Sequence, residues 1–336
     1  MTVSKVVQVD PNNAKVVREH KYDRPRRACA FDRTGRYLFS GGDDNFIRRW
    51  DLKDSKHASF AGHDSWVLSF AFPSDKSTLI SGGYDGRLIW WDLAAPDPRP
   101  LAKIDAHDGW IRSITLSPDG KFLATCGNDH LVKVWSVATR ELVQKLTGHT
   151  SHVYSVAFHP VLGHLVSADH LGIVRQWDAA SWQEMRQLDA SPLYTWNKGY
   201  RAAAGGVRTM SFSRDGHWLA GCGLTDARDT FGQVVHPAVV LFDWKSGKRT
   251  RVQRSGGDEK GVAWGVSFHA SGKFHTAVSG GRDAKHLYFF NRVDDKPFHT
   301  LALPSAARDL AFNPVGTMLA TAHFDNAVRL VELPAG

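Results

Sequence analysis

Cysteine is scarce in this 336-residue chain, and long apolar runs are missing. The three cysteines, Cys29, Cys126 and Cys222, fall inside expected strands with no Cys-x-x-Cys spacing. Buried free thiols are therefore expected, and a reducing compartment fits them. No stretch approaches the roughly 18 consecutive apolar residues of a membrane span, and the N-terminal MTVSKVVQVD lacks the apolar core of a signal peptide. The expectation is a soluble, cytoplasmic, monomeric protein. Charge of one sign is not concentrated either. Lys and Arg number 42 against 34 Asp and Glu, a net +8, but they are scattered and the densest basic runs, 24–27 and 245–254, are short. That pattern disfavours nucleic acid as partner. Three chemical signatures are absent as well: His-Glu-x-x-His, Gly-x-x-x-x-Gly-Lys-Ser/Thr and Gly-x-Ser-x-Gly. No metal, cofactor or catalytic residue is expected, despite 17 His.

What the chain does have is aromatic residues at a regular spacing. Residues 63–92 divide into three strand-length apolar runs, 66–72, 77–82 and 87–91, separated by turn-forming residues that include Tyr84-Asp85-Gly86. Three such runs joined by hairpins make an antiparallel meander, too small to be stable alone. The unit recurs. Its closing residues are Trp50, Trp91, Trp135, Trp177, Phe242, Phe290 and Val331, at steps of 41, 44, 42, 65, 48 and 41 residues. A period in the low forties points to four strands per repeat.

Pairs Gly62-His63 and Gly148-His149 open repeats, and Trp50-Asp51, Trp91-Asp92 and Trp177-Asp178 close them. On these residues the chain resembles the WD40 family over nearly its whole length. The resemblance implies an all-β, seven-bladed β-propeller of four-stranded antiparallel blades, forming one domain over 1–336. Residues 1–20 would supply closing strands and 21–336 the blades, with Lys15 to Arg18 completing the last blade. Val3 to Val9 would be surplus, either adding a fifth strand or competing with the C-terminal strand. Insertions are expected at 190–206, which holds Tyr194, Trp196, Lys198, Tyr200 and Arg201, and at 224–237.

Ser or Thr stands ten and Asp six residues before the closing Trp, with a His further upstream: His20, Ser40, Asp44, Trp50; then His63, Ser81, Asp85, Trp91; then His107, Thr125, Asp129, Trp135. Occurrence in series argues against a catalytic triad and for structural hydrogen-bonded tetrads, as the WD40 resemblance also implies. In repeat four His149, Ser167 and Trp177 remain but Leu171 stands at the Asp position. An incomplete set and a looser blade are expected there.

In propellers of this family the loops entering the inner strands and the hairpins after the second strands share one face. The resemblance places Trp66, Tyr84, Trp110, Arg112, His152, Tyr154, Trp264 and Arg282 on that face, and Trp196 projects from the first insertion. Aromatics and Arg dominate binding hot spots. The function expected is a non-catalytic scaffold that binds another protein or peptide. The alternatives are a propeller enzyme with a metal or cofactor in its channel, and a basic platform for nucleic acid or anionic lipid.

Overall fold

The computed structural model describes residues 7–75, 77–95, 98–199, 201–227 and 235–336. They form seven four-stranded antiparallel sheets arranged as the blades of a propeller. Blade one comprises Arg26–Phe31, Tyr37–Gly42, Ile47–Asp51 and His57–Phe60. Blade two is Val67–Ala71, Thr78–Gly83, Arg87–Asp92 and Pro100–Asp105; blade three is Ile111–Leu116, Phe122–Gly127, Val132–Ser136 and Leu142–Leu146. Blade four is Val153–Phe158, Leu165–Asp169, Ile173–Trp177 and Glu184–Asp189; blade five is Thr209–Phe212, Trp218–Thr225, His236–Asp243 and Arg249–Arg254. Blade six is Val262–Phe268, His275–Gly280, His286–Phe290 and His299–Ala302.

Blade seven takes three strands from the C-terminal end, Ala307–Phe312, Met318–His323 and Ala327–Glu332, and its fourth, Lys15–Lys21, from the N-terminal end. The closing strand runs three residues beyond the expected Lys15 to Arg18, with Lys15 opposite Glu332 and Lys21 opposite Ala327. Of the surplus run Val3 to Val9, residues 3–6 lie outside the described residues. Val9 makes a single bridge to Ala335.

A blade has two apolar faces, and each is covered by a neighbouring blade. Phe39, Ile47 and Phe60 of blade one pack with Val67, Leu79, Ile89 and Trp91 of blade two. Cys29, Phe31, Leu38 and Trp50 on the other side of blade one meet Ala320, Ala322, Val328 and Leu330 of blade seven. Burying such side chains is worth about 1.5–3 kcal/mol each. All three cysteines are buried free thiols. The insertion at 190–206 folds as a short 3-10 turn, Ser191–Leu193, and a hairpin, Tyr194–Asn197 with Ala202–Gly205. Its base is anchored by the buried Ala190 and Leu193, which pack against Val207, Met210 and Leu219. Tyr200 lies outside the described residues. The second insertion lengthens blade five's central ladder, pairing Leu224 with Pro237 and Thr225 with His236, and 228–234 lie outside the described residues.

Hydrogen-bond relays tie blades two and three to the loops that precede their inner strands. Trp91 Nε1–H donates to Ser81 Oγ at 2.9 Å, that hydroxyl lies 2.7 Å from His63 Nε2, and His63 Nδ1 lies 2.9 Å from the Asp85 carboxylate. The same relay joins Trp135, Thr125, His107 and Asp129 at 3.0, 2.7 and 2.8 Å. Burial draws the His107 imidazole below its ordinary range, so it is neutral, with Nε2 accepting from Thr125 and Nδ1–H donating to Asp129.

Blade four departs from its sequence-based expectation. Asp169, two residues before Leu171, supplies the carboxylate: His149 Nδ1 lies 2.7 Å from its Oδ2, while Ser167 lies 2.7 Å from His149 Nε2 and 2.8 Å from the Trp177 indole nitrogen. The geometry explains the substitution. Asp169 occupies the end of the second strand, where Gly83 and Gly127 stand in blades two and three. A Cβ built at Gly83 would come within 2.7 Å of His63 Nδ1, and one at Gly127 within 2.9 Å of His107 Nδ1. A side chain at that position points directly at the imidazole. Glycine leaves the space to a carboxylate two residues later, and aspartate fills it itself.

Blade one also differs. Trp50 Nε1–H donates to Ser40 Oγ at 3.1 Å, but His20 lies tilted against Trp50 at 4.8 Å between ring centroids and its Nε2 has no partner among the described residues. Asp44 instead receives the buried Arg26 at 3.0 Å and Arg48 at 2.8 Å. His20 is held in the closing strand opposite Val328, which fixes it away from Asp44, and the Arg26 guanidinium fills the vacated pocket beside Gly42.

Replacing Trp135 with Ala should destabilise the fold by about 3–5 kcal/mol, since a buried indole and its hydrogen bond are both lost. Chemical denaturation measures it, and a variant as stable as wild type would contradict the relay's place in the core. By the same measurement Asp169→Ala should cost about 1–3 kcal/mol, the penalty for stranding the His149 donor.

Candidate functional site at the channel mouth

The first strand of nearly every blade begins with an irregularity. Pairing with the second strand slips by one residue between Arg26 and Ala28, Val67 and Ser69, Ile111 and Ser113, and Val153 and Ser155. It slips again between Ala263 and Gly265 and between Ala307 and Asp309. In blade five Arg208 stands just before the ladder, its N–H donating to Cys222 O at 2.7 Å. A bulge leaves its extra residue out of the ladder and re-aims its side chain. The residues so released are Arg27, Leu68, Arg112, Tyr154, Trp264 and Arg308, and together with Arg208 they line one cavity of about 120 Å³ where the seven inner strands converge.

Around that cavity arginines and aromatic rings form a continuous circuit. The Arg27 guanidinium lies 3.7 Å from the Trp66 ring centroid. Trp66 leans on Tyr84 at 5.0 Å, and Tyr84 stacks nearly parallel on Trp110 at 3.9 Å. Arg112 sits 4.6 Å from Trp110 and 4.8 Å from Tyr154. Arg208 lies between Tyr154 at 4.6 Å and Trp264 at 5.1 Å, and Arg308 between Trp264 at 4.1 Å and Phe324 at 4.2 Å. Phe324 faces Arg27 at 6.0 Å, which closes the circuit. Each cation rests on a π face, a contact worth about 0.5–2 kcal/mol.

Hydrogen bonds fix several members. Arg27 is paired with Asp43, Nη2 to Oδ2 at 2.9 Å. Arg112 donates to Asn128 Oδ1 at 2.8 Å and to the Tyr84 hydroxyl at 3.2 Å, and the Trp264 indole donates to Gly280 O at 3.1 Å. Asp309 lines the cavity and accepts from the Cys29 N–H at 2.9 Å; burial pushes its carboxyl up to about 7. Trp110 and Phe324 keep 40% and 43% of their surface exposed, so the circuit presents aromatic area to solvent.

Six of the nine residues expected on this face, Trp66, Tyr84, Trp110, Arg112, Tyr154 and Trp264, are brought together here. His152 stands beside Tyr154 at 6.5 Å, on the side of His130. Arg282 and Trp196 do not join. Arg282 is exposed in the turn between the second and third strands of blade six, and Trp196, half exposed, is carried on the blade-five hairpin. Sequence reasoning missed Arg27, Leu68, Arg208, Arg308, Asp309 and Phe324. A signal existed: residues 27, 68, 112, 154 and 308 each precede the closing markers 50, 91, 135, 177 and 331 by 23 positions. The insertion in blade five hides Arg208 from that count. No group of three or more His, Cys, Asp or Glu placed to hold a metal occurs among the described residues, and no described helix is long and apolar enough to cross a membrane.

Seven radial sheets, Trp-centred relays and a mouth built from inner-strand bulges define a β-propeller of the repeat type. The sequences of four of its repeats, residues 13–51, 55–92, 98–136 and 140–178, match the WD40 family, described as WD domain, G-beta repeat, so that these four blades are WD40 repeats. Each matched stretch ends at the close of a third strand, so the first takes in the closing strand of blade seven. The chain is 25% identical to the protein groucho of Drosophila melanogaster over 216 residues, 62% of this chain and 28% of that protein. It is 37% identical to coatomer subunit beta'-1 of Arabidopsis thaliana over 106 residues, 31% of this chain and 11% of the relative. It is 29% identical to a probable coatomer subunit beta' of Schizosaccharomyces pombe over 141 residues, 41% and 18% respectively. The chain thus matches between 11% and 28% of the length of these relatives.

The raised carboxyl of Asp309 has a consequence for stability. Between pH of about 4, where an unfolded Asp ionises, and about 7, the folded chain keeps a proton that the unfolded chain has lost. Raising the pH through this window therefore weakens the fold. Asp309→Asn should lose less stability than wild type between pH 5 and pH 8 in urea titrations, and equal losses would show that Asp309 is ionised throughout.

Proposed function

We propose that this protein is a non-catalytic platform that binds another protein or peptide through the channel mouth. The observation that carries this reading is the circuit of Arg27, Trp66, Tyr84, Trp110, Arg112, Tyr154, Arg208, Trp264 and Arg308, a concentration of the residue types that dominate binding hot spots. The rings are held by stacking and by hydrogen bonds before any partner arrives. Pre-ordering of this kind lowers the entropy lost on association. Two of the similar proteins are, by name, subunits of a larger assembly, which agrees with a docking role. The cavity is well under the roughly 300–1,000 Å³ of pockets that enclose a drug-sized ligand, and suits a side-chain tip better than a cofactor.

The test is affinity capture with wild type beside Trp110→Ala, after both are shown to melt alike. Partners recovered with wild type should be lost with Trp110→Ala. An identical catch would refute the mouth as the working surface.

A further inference from the structure

The mouth carries more positive charge than its own carboxylates balance. Arg27, Arg112, Arg208 and Arg308 converge on it from blades one, three, five and seven. Asp43 is taken by Arg27 through two contacts. Asp309, the other carboxyl at the cavity, turns its Oδ2 to the Cys29 N–H, and near neutral pH it is at most partly ionised. Arg112 has neutral hydrogen-bond partners, Asn128 and Tyr84. Arg208 and Arg308 lie against aromatic faces, and the Nε of each is shielded from solvent with no acceptor among the described residues. Burial and the neighbouring Arg27 and Arg208 draw the Arg308 guanidinium down to about 10, and burial lowers that of Arg208. Both still carry their charge at pH 7.

Shielded donors without acceptors, on cations without counter-ions, are costly. They persist where something else supplies the acceptor. The cavity they line, about 120 Å³, has room for one compact group. Charge decides which. Roughly three unbalanced positive charges remain, and a phosphate monoester of about −1.5 to −2 offsets most of them, whereas a carboxylate offsets one. Guanidinium forks also match phosphate oxygens bidentately.

Building on the platform reading above, we propose that the channel mouth is a phosphate-binding site in which Arg112, Arg208 and Arg308 grip the group, with a phosphorylated side chain of the partner as its source. The surrounding rings of Trp110, Tyr154 and Trp264 would then contact the segment that carries it. Unphosphorylated peptide would leave the arginines unanswered, which makes the site selective.

The experiment is titration calorimetry of the full chain at constant ionic strength, with inorganic phosphate, with N-acetyl-phosphoserine amide and with N-acetyl-serine amide. Saturable binding of the two phosphates and none of the serine compound is expected. Tighter binding of the phosphoserine compound assigns the source to a side chain; tighter binding of inorganic phosphate removes that assignment and leaves a free-ion site. Arg208→Met and Arg308→Met should each weaken phosphate by about tenfold or more, the loss of a charge-assisted hydrogen bond, while Arg282→Met, outside the cavity, should bind as wild type does. Both Met variants keep an apolar side chain against the same rings and should melt as wild type does, which checks that the fold is intact. No heat from either phosphate, or equal binding by the Arg208 and Arg282 variants, would overturn the proposal. That failure is separable from failure of the platform, which partner capture with Trp110→Ala decides whether or not phosphate binds.

Discussion

Every blade of this protein must hide two apolar faces, and a four-stranded sheet alone hides neither. The ring resolves this only if it closes, because an open arc would leave the first and last blades each with a bare face and an unpaired edge. Closure depends on one antiparallel pairing, Lys15–Lys21 against Ala327–Glu332, between segments more than 300 residues apart in sequence. The seam it creates buries Cys29, Leu38 and Trp50 against Ala320, Val328 and Leu330. All seven inner strands are brought around one axis by that closure, and the mouth exists because of it.

Within the ring, the loop before an inner strand has to be held if the bulge after it is to aim a side chain inward. Blades two, three and four hold it with an imidazole between a hydroxyl and a carboxylate. The pocket is indifferent to how its contents arrive. In blade four Asp169 enters from the strand end, and in blade one Arg26 takes the place of His20. Blade seven brings His323 in from the strand itself, hydrogen-bonded to Thr321 at 2.7 Å and to Ser305 O at 2.9 Å. What persists is the need to satisfy polar groups beside the sheet, and different sequences meet it from different directions.

The chemistry of the mouth follows from the same construction. A bulge position contributes nothing to the ladder, so its residue type is unconstrained by strand pairing; blades one, three and seven use it for arginine, and blade five places Arg208 just before its ladder. Tyr154 and Trp264, on the intervening blades, separate these cations and offer them π faces, which spaces the charges without neutralising them.

The period of the closing aromatics, the Gly-His and Trp-Asp pairs and the short alternating runs were enough to read seven antiparallel blades, because those features are local and repeat. The buried thiols and the relays of blades two and three were legible for the same reason: each lies within one repeat, at fixed spacing. Substitutes were not. Asp169 and Arg26 stand at offsets where spacing predicts no relay partner, and only the direction of a Cβ at the end of the second strand shows that they reach the pocket. The circuit at the mouth was half visible, since Trp66, Tyr84, Trp110, Arg112, Tyr154 and Trp264 lie near recognisable turns. Arg27, Arg208, Arg308 and Phe324 come from segments far apart in the chain. Their convergence depends on ring closure and on where each ladder slips, and both are properties of strands packed together, which no single repeat contains.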